Sequence, residues 1–223
     1  YMALILLYMF NPICGSLRAL QQASELKKVQ KKLGVPRASL GSLSEAARVF
    51  DSQLLAPVVK ELAEKLAPLP QNSPLSDLGG LITLVDGSLI NALSKMTWAC
   101  WQSEQNAIRI HTQFDLEKYV PIKMQVTEGR GMGSSNEKQV LAQNLEPGRI
   151  YVLDRGYASL ALLQAILDHK SSFVCRVRDD SKYDILKEHQ LTQEGGNAGV
   201  VFDRLVRLGG NAQTQSKLPK PVR

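Results

Sequence analysis

The chain has 223 residues, 44% of them hydrophobic and 22% charged, enough apolar material to bury a substantial core, which excludes a disordered chain. Lysine and arginine number 27 against 21 aspartates and glutamates, giving a formal charge of +6, a balance that suits a polyanionic partner such as nucleic acid without specifying one. Cys14, Cys100 and Cys175 lie far apart with no CxxC motif, which excludes a disulfide framework and a cysteine zinc site and fits a reducing cytoplasm.

In chain order, the opening YMALILLYMFNPICG carries an apolar run of about ten residues, too short for a bilayer and without the basic start of a signal peptide. The expectation is a buried helix and no membrane span. The segment SLRALQQASELKKVQKKLG spaces Leu17, Leu20, Val29 and Leu33 near a helical period and clusters Lys27, Lys28, Lys31 and Lys32 at its end, with Gly34 as C-cap. Those lysines are either a solvated face suited to the helix dipole or a phosphate-contacting face. A second helix opens at LGSLSEAARVF, where Ser42 or Ser44 can cap, and a third runs through QLLAPVVKELAEKLAPL. The stretch PLPQNSPLSDLGG, with Pro68, Pro70 and Pro74, breaks helix and marks the expected domain boundary.

Beyond it the periodicity changes. LITLVDGSLI is a short apolar run bearing Asp86, AIRIHTQFD alternates as a half-exposed strand does, and VPIKMQVTEG places Ile122, Met124 and Val126 on one face, so an antiparallel meander is predicted. A glycine-rich loop, GRGMGSSN, lacks the lysine of a phosphate-cradling loop. A helix near EKQVLAQNL, a strand at RIYVLD, a helix at ASLALLQAILDHK and a strand at SSFVCRVRDD then alternate as in a parallel, doubly covered sheet. From about Ser181, paired glycines surround a strand-like VVFDRLVRL, the look of a β insertion or edge hairpin.

Asp86 and Asp154 stand in similar settings, each at the carboxyl end of an apolar strand and each read as followed by a turn. Functional groups collect at such strand ends in open α/β sheets. If the two strands lie side by side, the carboxylates repel one another until a hard divalent cation relieves them, and Mg²⁺ is held by one or two carboxylates with water and substrate phosphate. Taken singly, an Asp-Gly turn and an aspartate N-cap explain each residue structurally.

The stretches LVDGSLI, HTQFDLEKYVPIKMQVTEG, YVLDRGYASLALLQAI and FVCRVRDD, together covering about Leu81 to Asp180, resemble the catalytic domain of DDE transposases of bacterial insertion sequences, in particular the insertion sequence four family. DRGY after a strand is their most specific element. The resemblance implies an α/β, ribonuclease H-like mixed sheet of three antiparallel strands followed by parallel strands with helices. It also implies an organisation of residues 1–75 as a helical N-terminal region, 76–180 as the partial catalytic core and 181–223 as the start of a β-rich insertion. Asp86 and Asp154 match the first two family aspartates and would hold Mg²⁺ or Mn²⁺, two ions in a complete site. The implied chemistry is hydrolysis of a phosphodiester and strand transfer on DNA, at terminal inverted repeats and a target, by a bacterial cytoplasmic enzyme that is a homodimer when complete and DNA-bound.

The family's downstream glutamate has no match. Glu188 follows Asp154 too closely and Glu194 lies among glycines, so the chain is expected to be a fragment, inactive as it stands. Arg155 and Tyr157 are candidate DNA contacts, with packing of Tyr157 on its helix as the alternative. Arg176 and Arg178 share a face at strand spacing and would line a DNA channel or pair with Asp179 or Asp180. His111 is read as a hydrogen-bonded structural residue, and Trp98 and Trp101 as core or dimer-contact residues. Two other readings stay open: a ribonuclease H-like nuclease without strand transfer, and a truncated, non-catalytic DNA-binding or dimerising regulator.

Overall fold

The computed structural model describes residues 1–51, 54–68, 78–92, 96–102, 105–209 and 217–223, with the side chains of residues 47, 100 and 102 left aside. The chain divides into two compact units, Tyr1–Leu55 and Ala56–Arg223. Most of the expected boundary segment, residues 69–77, lies outside the described residues.

The first unit is helical: α1 (Met2–Phe10), α2 (Leu17–Glu25), α3 (Lys27–Leu33) and α4 (Leu40–Val49). Leu4, Leu20 and Leu43 form its core, flanked by Leu7, Leu33, Val35 and Ala38. The opening segment is helical over Met2–Phe10 as expected, yet within that helix only Leu4 is buried, and Phe10 is 81% exposed. A helix this short in a four-helix unit of small core can bury only one stripe. The basic helix is in fact two helices, broken at Leu26, whose ψ of 120° is extended. The break is stabilised by Ser24, fully buried, whose hydroxyl donates to the Gln21 carbonyl at 2.7 Å and accepts from the Ala38 amide at 3.0 Å. Gly34 does close α3 in the left-handed region, at φ 63°. Helix α4 is capped by Ser39 rather than Ser42 or Ser44, its hydroxyl accepting from the Ser42 amide at 3.0 Å. That starts the helix earlier than the LSEAA pattern indicates, because a serine with extended backbone before the first turn satisfies an otherwise free amide.

The second unit opens with α5 (Leu55–Lys65) and builds one sheet from β1 (Leu81–Asn91), β2 (Cys100–Gln102), β3 (Gln105–Asp115), β4 (Val120–Glu128), β5 (Arg149–Leu153) and β6 (Ser172–Cys175), with α6 (Glu137–Gln143) and α7 (Leu160–Asp168) between its later strands. β3 pairs antiparallel with both β1 and β4, while β5 runs parallel to β1 and β6 parallel to β5. The order β4-β3-β1-β5-β6, with β2 added at the start of β3, is the mixed ribonuclease H-like arrangement that the sequence suggests. Leu141 of α6 and Leu162, Leu163 and Ile166 of α7 pack on Tyr151 and Leu153 of β5, forming the main core. The remaining elements, β7 (Tyr183–His189), α8 (Gln193–Asn197) and β8 (Asp203–Leu208), include a two-stranded antiparallel sheet whose Leu208, with Leu218, joins the same core.

Two local expectations change. β1 does not turn at Asp86-Gly87 but continues to Asn91, since β3 supplies partners as far as Asn91 opposite Ala107. A long partner strand overrides the turn preference of an Asp-Gly pair. β6 ends at Cys175, so Arg176 and Arg178 do not share a strand face. Only the Arg176 amide still reaches β5, at 3.4 Å from the Leu153 carbonyl.

At the amino-terminal end of the parallel strands the sheet is stapled by charge. The Arg149 Nη1 lies 3.0 Å from Thr83 Oγ1 and 3.8 Å from Asp115 Oδ2, and its Nε donates to Glu146 at 2.7 Å. Asp115, 3% exposed, also accepts the Glu117 and Lys118 amides at 3.0 Å, fixing the turn from β3 to β4.

Candidate active site

The opposite end of the parallel strands carries the two aspartates. The ladder between β1 and β5 runs from Leu81 opposite Arg149 to Leu84 opposite Val152. The same interval separates Asp86 from Asp154, so each stands two residues beyond the last rung, on the same side of its strand as that rung. Asp86 is exposed within β1 and accepts a hydrogen bond from Ser88 Oγ at 3.3 Å. Asp154 is exposed at the tip of β5, where a 3-10 turn, Arg155–Tyr157, begins and the Tyr157 amide donates to the Asp154 carbonyl at 3.2 Å. That turn has a local cause. A Cβ at Gly156 would stand 3.1 Å from the Asp154 carboxylate, so glycine leaves the acid room as the chain folds back.

Electrostatics tie the site together. Burial pushes the Tyr157 hydroxyl well above its ordinary range, and the negative charges of Glu137, Asp86 and Asp154 push it further, against the opposing pull of Arg109. Burial also raises the Cys175 thiol, with Asp154 adding to the rise. Its sulfur lies 3.6 Å from the Asp154 carbonyl. One phenol therefore senses both aspartates.

Glu137 and Arg109 escaped the sequence reading. Glu137 opens α6 directly after its cap Asn136, where an acid reads as a simple complement to the helix dipole. Its carboxylate pairs with Arg109 of β3, both side chains about three-quarters buried, and lies against Gly87. The signal that exists in sequence is the glycine after Asp86, whose missing side chain leaves that place open. Beside them His111 is 7% exposed, with Nε2 at 2.8 Å from Thr127 Oγ1. It is a hydrogen-bonded structural residue, as its strand position suggested. Burial lowers its pKa, the Glu137 charge opposing and Arg109 assisting.

The remaining candidates fall in different places. Tyr157 is 3% exposed and packs in the main core with Leu141, Leu153 and Leu162. Its ring is a packing group, the alternative weighed for it. Arg155 pairs with Asp179 at 2.9 Å on the surface, and Arg176 is exposed. Glu188 accepts Arg204 on the β7–β8 sheet at 3.0 Å, and Glu194 lies in the first turn of α8. Trp98 is exposed and Trp101 half-buried.

Two exposed carboxylates, one within β1 and one just past the end of β5, both beyond the last rung of the parallel ladder, present hard oxygen donors, the set that fits a hard divalent cation completed by water and substrate oxygens. Among the described residues no group of three or more His, Cys, Asp and Glu side chains is placed to hold a metal ion. The fold and this acidic sheet end define the class: an α/β domain with a mixed, ribonuclease H-like sheet that carries two carboxylates at one end.

Residues 77–220 match the family model of the transposase DDE domain, and the chain belongs to that family. A curated relative, "Putative transposase y4zB" of Sinorhizobium fredii, is 25% identical over 145 residues, which are 64% of this chain and 39% of that protein. The chain thus spans well under half the length of that relative. Among solved structures, the cryo-EM structure of the piggyBac transposase synaptic complex with hairpin DNA matches 79% of this chain and 40% of its own, at 14% identity and a TM-score of 0.41. No helix among the described residues is long and apolar enough to cross a membrane.

Proposed function

We propose that this chain carries part of the catalytic core of a transposase that hydrolyses a phosphodiester at the ends of a mobile DNA element and transfers the freed strand to target DNA. The observation that carries this reading is the parallel register of β1 and β5, which sets Asp86 level with Asp154 at one sheet end in a member of the transposase family. Asp86 and Asp154 would hold Mg²⁺ or Mn²⁺. When bound, such ions supply acidification of the attacking water or 3′-hydroxyl and neutralise charge on the leaving oxygen.

The chain's own contribution is to fix the two acids. The β1–β3 ladder holds Asp86 through its flanking rungs, and the 3-10 turn at Arg155–Tyr157, pinned by the buried Tyr157 ring, holds Asp154. Arg155 and Arg176 lie next to this edge and are the proposed phosphate contacts, with the Arg155 pair to Asp179 exchanged for a phosphate when DNA docks. With two rather than three carboxylates assembled among the described residues, the expectation for this chain alone is metal binding without strand cleavage. The DNA-bound complete enzyme is proposed to be a homodimer.

The deciding experiment is calorimetric titration of the chain with Mn²⁺ alongside Asp86→Asn and Asp154→Asn, with cleavage of a DNA duplex followed in parallel. Each substitution is expected to weaken Mn²⁺ binding about tenfold or more, from loss of a carboxylate facing the ion. Unchanged affinity in both variants overturns the assignment. Cleavage without strand joining would point instead to a nuclease of the same fold.

One observation favours a second reading. Lys27, Lys28, Lys31 and Lys32 are all exposed on α3 and in no ion pair among the described residues. In a helical unit with its own core, they suit a DNA-binding regulator that needs no catalysis. Its mark is binding whose logarithm falls linearly with the logarithm of salt, with a slope reduced by about one for each lysine replaced by alanine.

A further inference from the structure

Because β1 continues past Gly87 rather than turning there, Ser88 returns to the face of the sheet that carries Asp86. Its hydroxyl donates to Asp86 Oδ2 at 3.3 Å. Across the ladder Asp86 stands opposite Thr112 of β3, which brings a second hydroxyl to the same rung. Around them that face is apolar: Leu84 pairs with Phe114, Ser88 with Ile110 and Ile90 with Ile108, and Met124 and Val126 of β4 lie beyond Thr112 and Ile110. Two hydroxyls on an apolar stretch of sheet therefore border one carboxylate, and only Ser88 is bonded to it. Thr112 makes no side-chain hydrogen bond among the described residues.

The two acids are set differently. Asp154 caps no amide of the 3-10 turn that it opens, and its carboxylate accepts no hydrogen bond among the described residues. Gly156 leaves that carboxylate room to turn. Asp86 has one oxygen engaged by Ser88 and the other open, and Ser88 is in turn fixed by its rung opposite Ile110. The last torsion of an aspartate is broad, so an exposed carboxylate without an anchor must be frozen when it takes a cation, whereas one already oriented loses less freedom. At 3.3 Å the Ser88 bond is longer than the usual range of about 2.5–3.0 Å for a hydroxyl donor. Its contribution is direction more than strength, and such bonds at reactive sites commonly tighten once the site is filled. Ser88 is exposed, so no buried polar group depends on its hydroxyl.

We propose that Ser88 is a positioning residue of the two-aspartate site: its hydroxyl holds Asp86 Oδ2 along β1 and leaves Oδ1 free for a divalent cation, so that Asp86 is the fixed donor and Asp154 the one that adjusts. The inference rests on the proposed metal-binding role of Asp86 and Asp154. Ser88 acts through Asp86 and is not itself a ligand.

The test is Mn²⁺ calorimetry on the whole chain as wild type, Ser88→Ala, Ser88→Thr, Thr112→Val and Asp86→Asn, each with a thermal melt. Ser88→Ala is expected to weaken Mn²⁺ binding about fivefold, the effect of one hydrogen bond, at an unchanged melting temperature. Ser88→Thr keeps the hydroxyl on a residue suited to a strand and recovers most of that loss. Thr112→Val removes the hydroxyl that is not bonded to Asp86 and leaves the affinity at the wild-type value. If Ser88→Ala binds Mn²⁺ as wild type does while Asp86→Asn binds it more weakly, the inference fails and the two-aspartate site stands. Equal losses in Ser88→Ala and Thr112→Val, or a loss that Ser88→Thr does not recover, overturn it as well, since the bond from Ser88 to Asp86 would then not be the cause. If wild type binds no Mn²⁺, or Asp86→Asn changes nothing, the site assignment fails and this inference falls with it.

Discussion

Burial decides what Tyr157 does. The ring sits three residues past Asp154 and is 3% exposed among leucines, so Tyr157→Ala is expected to cost about 3–5 kcal/mol in urea denaturation, the usual penalty for emptying an aromatic site. Tyr157→Phe keeps the volume and is expected to cost below about 1.5 kcal/mol. Similar costs for the two would mean that the ring is not the anchor of the DRGY turn. Ser24 poses the converse case, a polar group with no apolar content. Its hydroxyl is the acceptor for the Ala38 amide, and Ser24→Ala is expected to destabilise the helical unit by about 1–3 kcal/mol by leaving that amide unpaired. Neither role is written in the residue itself. A tyrosine beside an acid and a serine inside a helix each allow several readings until the neighbours are known.

Among the elements, the parallel strands are held at one end by apolar packing and at the other by the Arg149 cluster. Burial works against ionisation of Glu146, but hydrogen bonds from Lys123 and Arg149 and their positive charges outweigh it, holding the carboxyl below its ordinary value of 4.5. The fold therefore favours the ionised form. This contribution is complete above the ordinary value and is lost as pH falls through the lowered folded value. Glu146→Gln should accordingly destabilise the chain modestly at pH 7, by up to about 1 kcal/mol given the partial exposure of the group, and the difference from wild type should fade in acid. A difference that grows in acid would contradict this account. Arg149 has the larger role, since its removal leaves the buried Asp115 without a cation. Arg149→Met is expected to cost about 3 kcal/mol by thermal or urea unfolding.

At the scale of the whole molecule, the β7–β8 sheet is not an appendage. Leu208 and Leu218 are buried in the core that α6, α7 and β5 share, and the Leu218 amide donates to the Leu208 carbonyl at 2.8 Å. Leu208→Ala is expected to destabilise the second unit by about 2–5 kcal/mol and to be felt at Tyr151 and Tyr157 in near-ultraviolet circular dichroism. Loss of the hairpin signal with an intact aromatic signal would show the two parts to be independent. Much of this architecture was legible beforehand, for a physical reason. Alternation of apolar residues with period two or near 3.6 records which side of an element meets the core, and so the meander, the later strand and helix alternation and the placement of Asp86 and Asp154 at strand positions could be read from the chain. The pairings that depend on residues distant in sequence could not. Gly87 looked like a turn because the length and register of its pairing with β3 were unseen, the helix break at Leu26 depended on Ala38, and the burial of Glu137 depended on Arg109 of β3. Sequence by itself determined which strands carry the two acids and which faces are apolar. Only the tertiary structure decided which acids stand together, because register and helix docking arise from contacts between segments that no local pattern encodes.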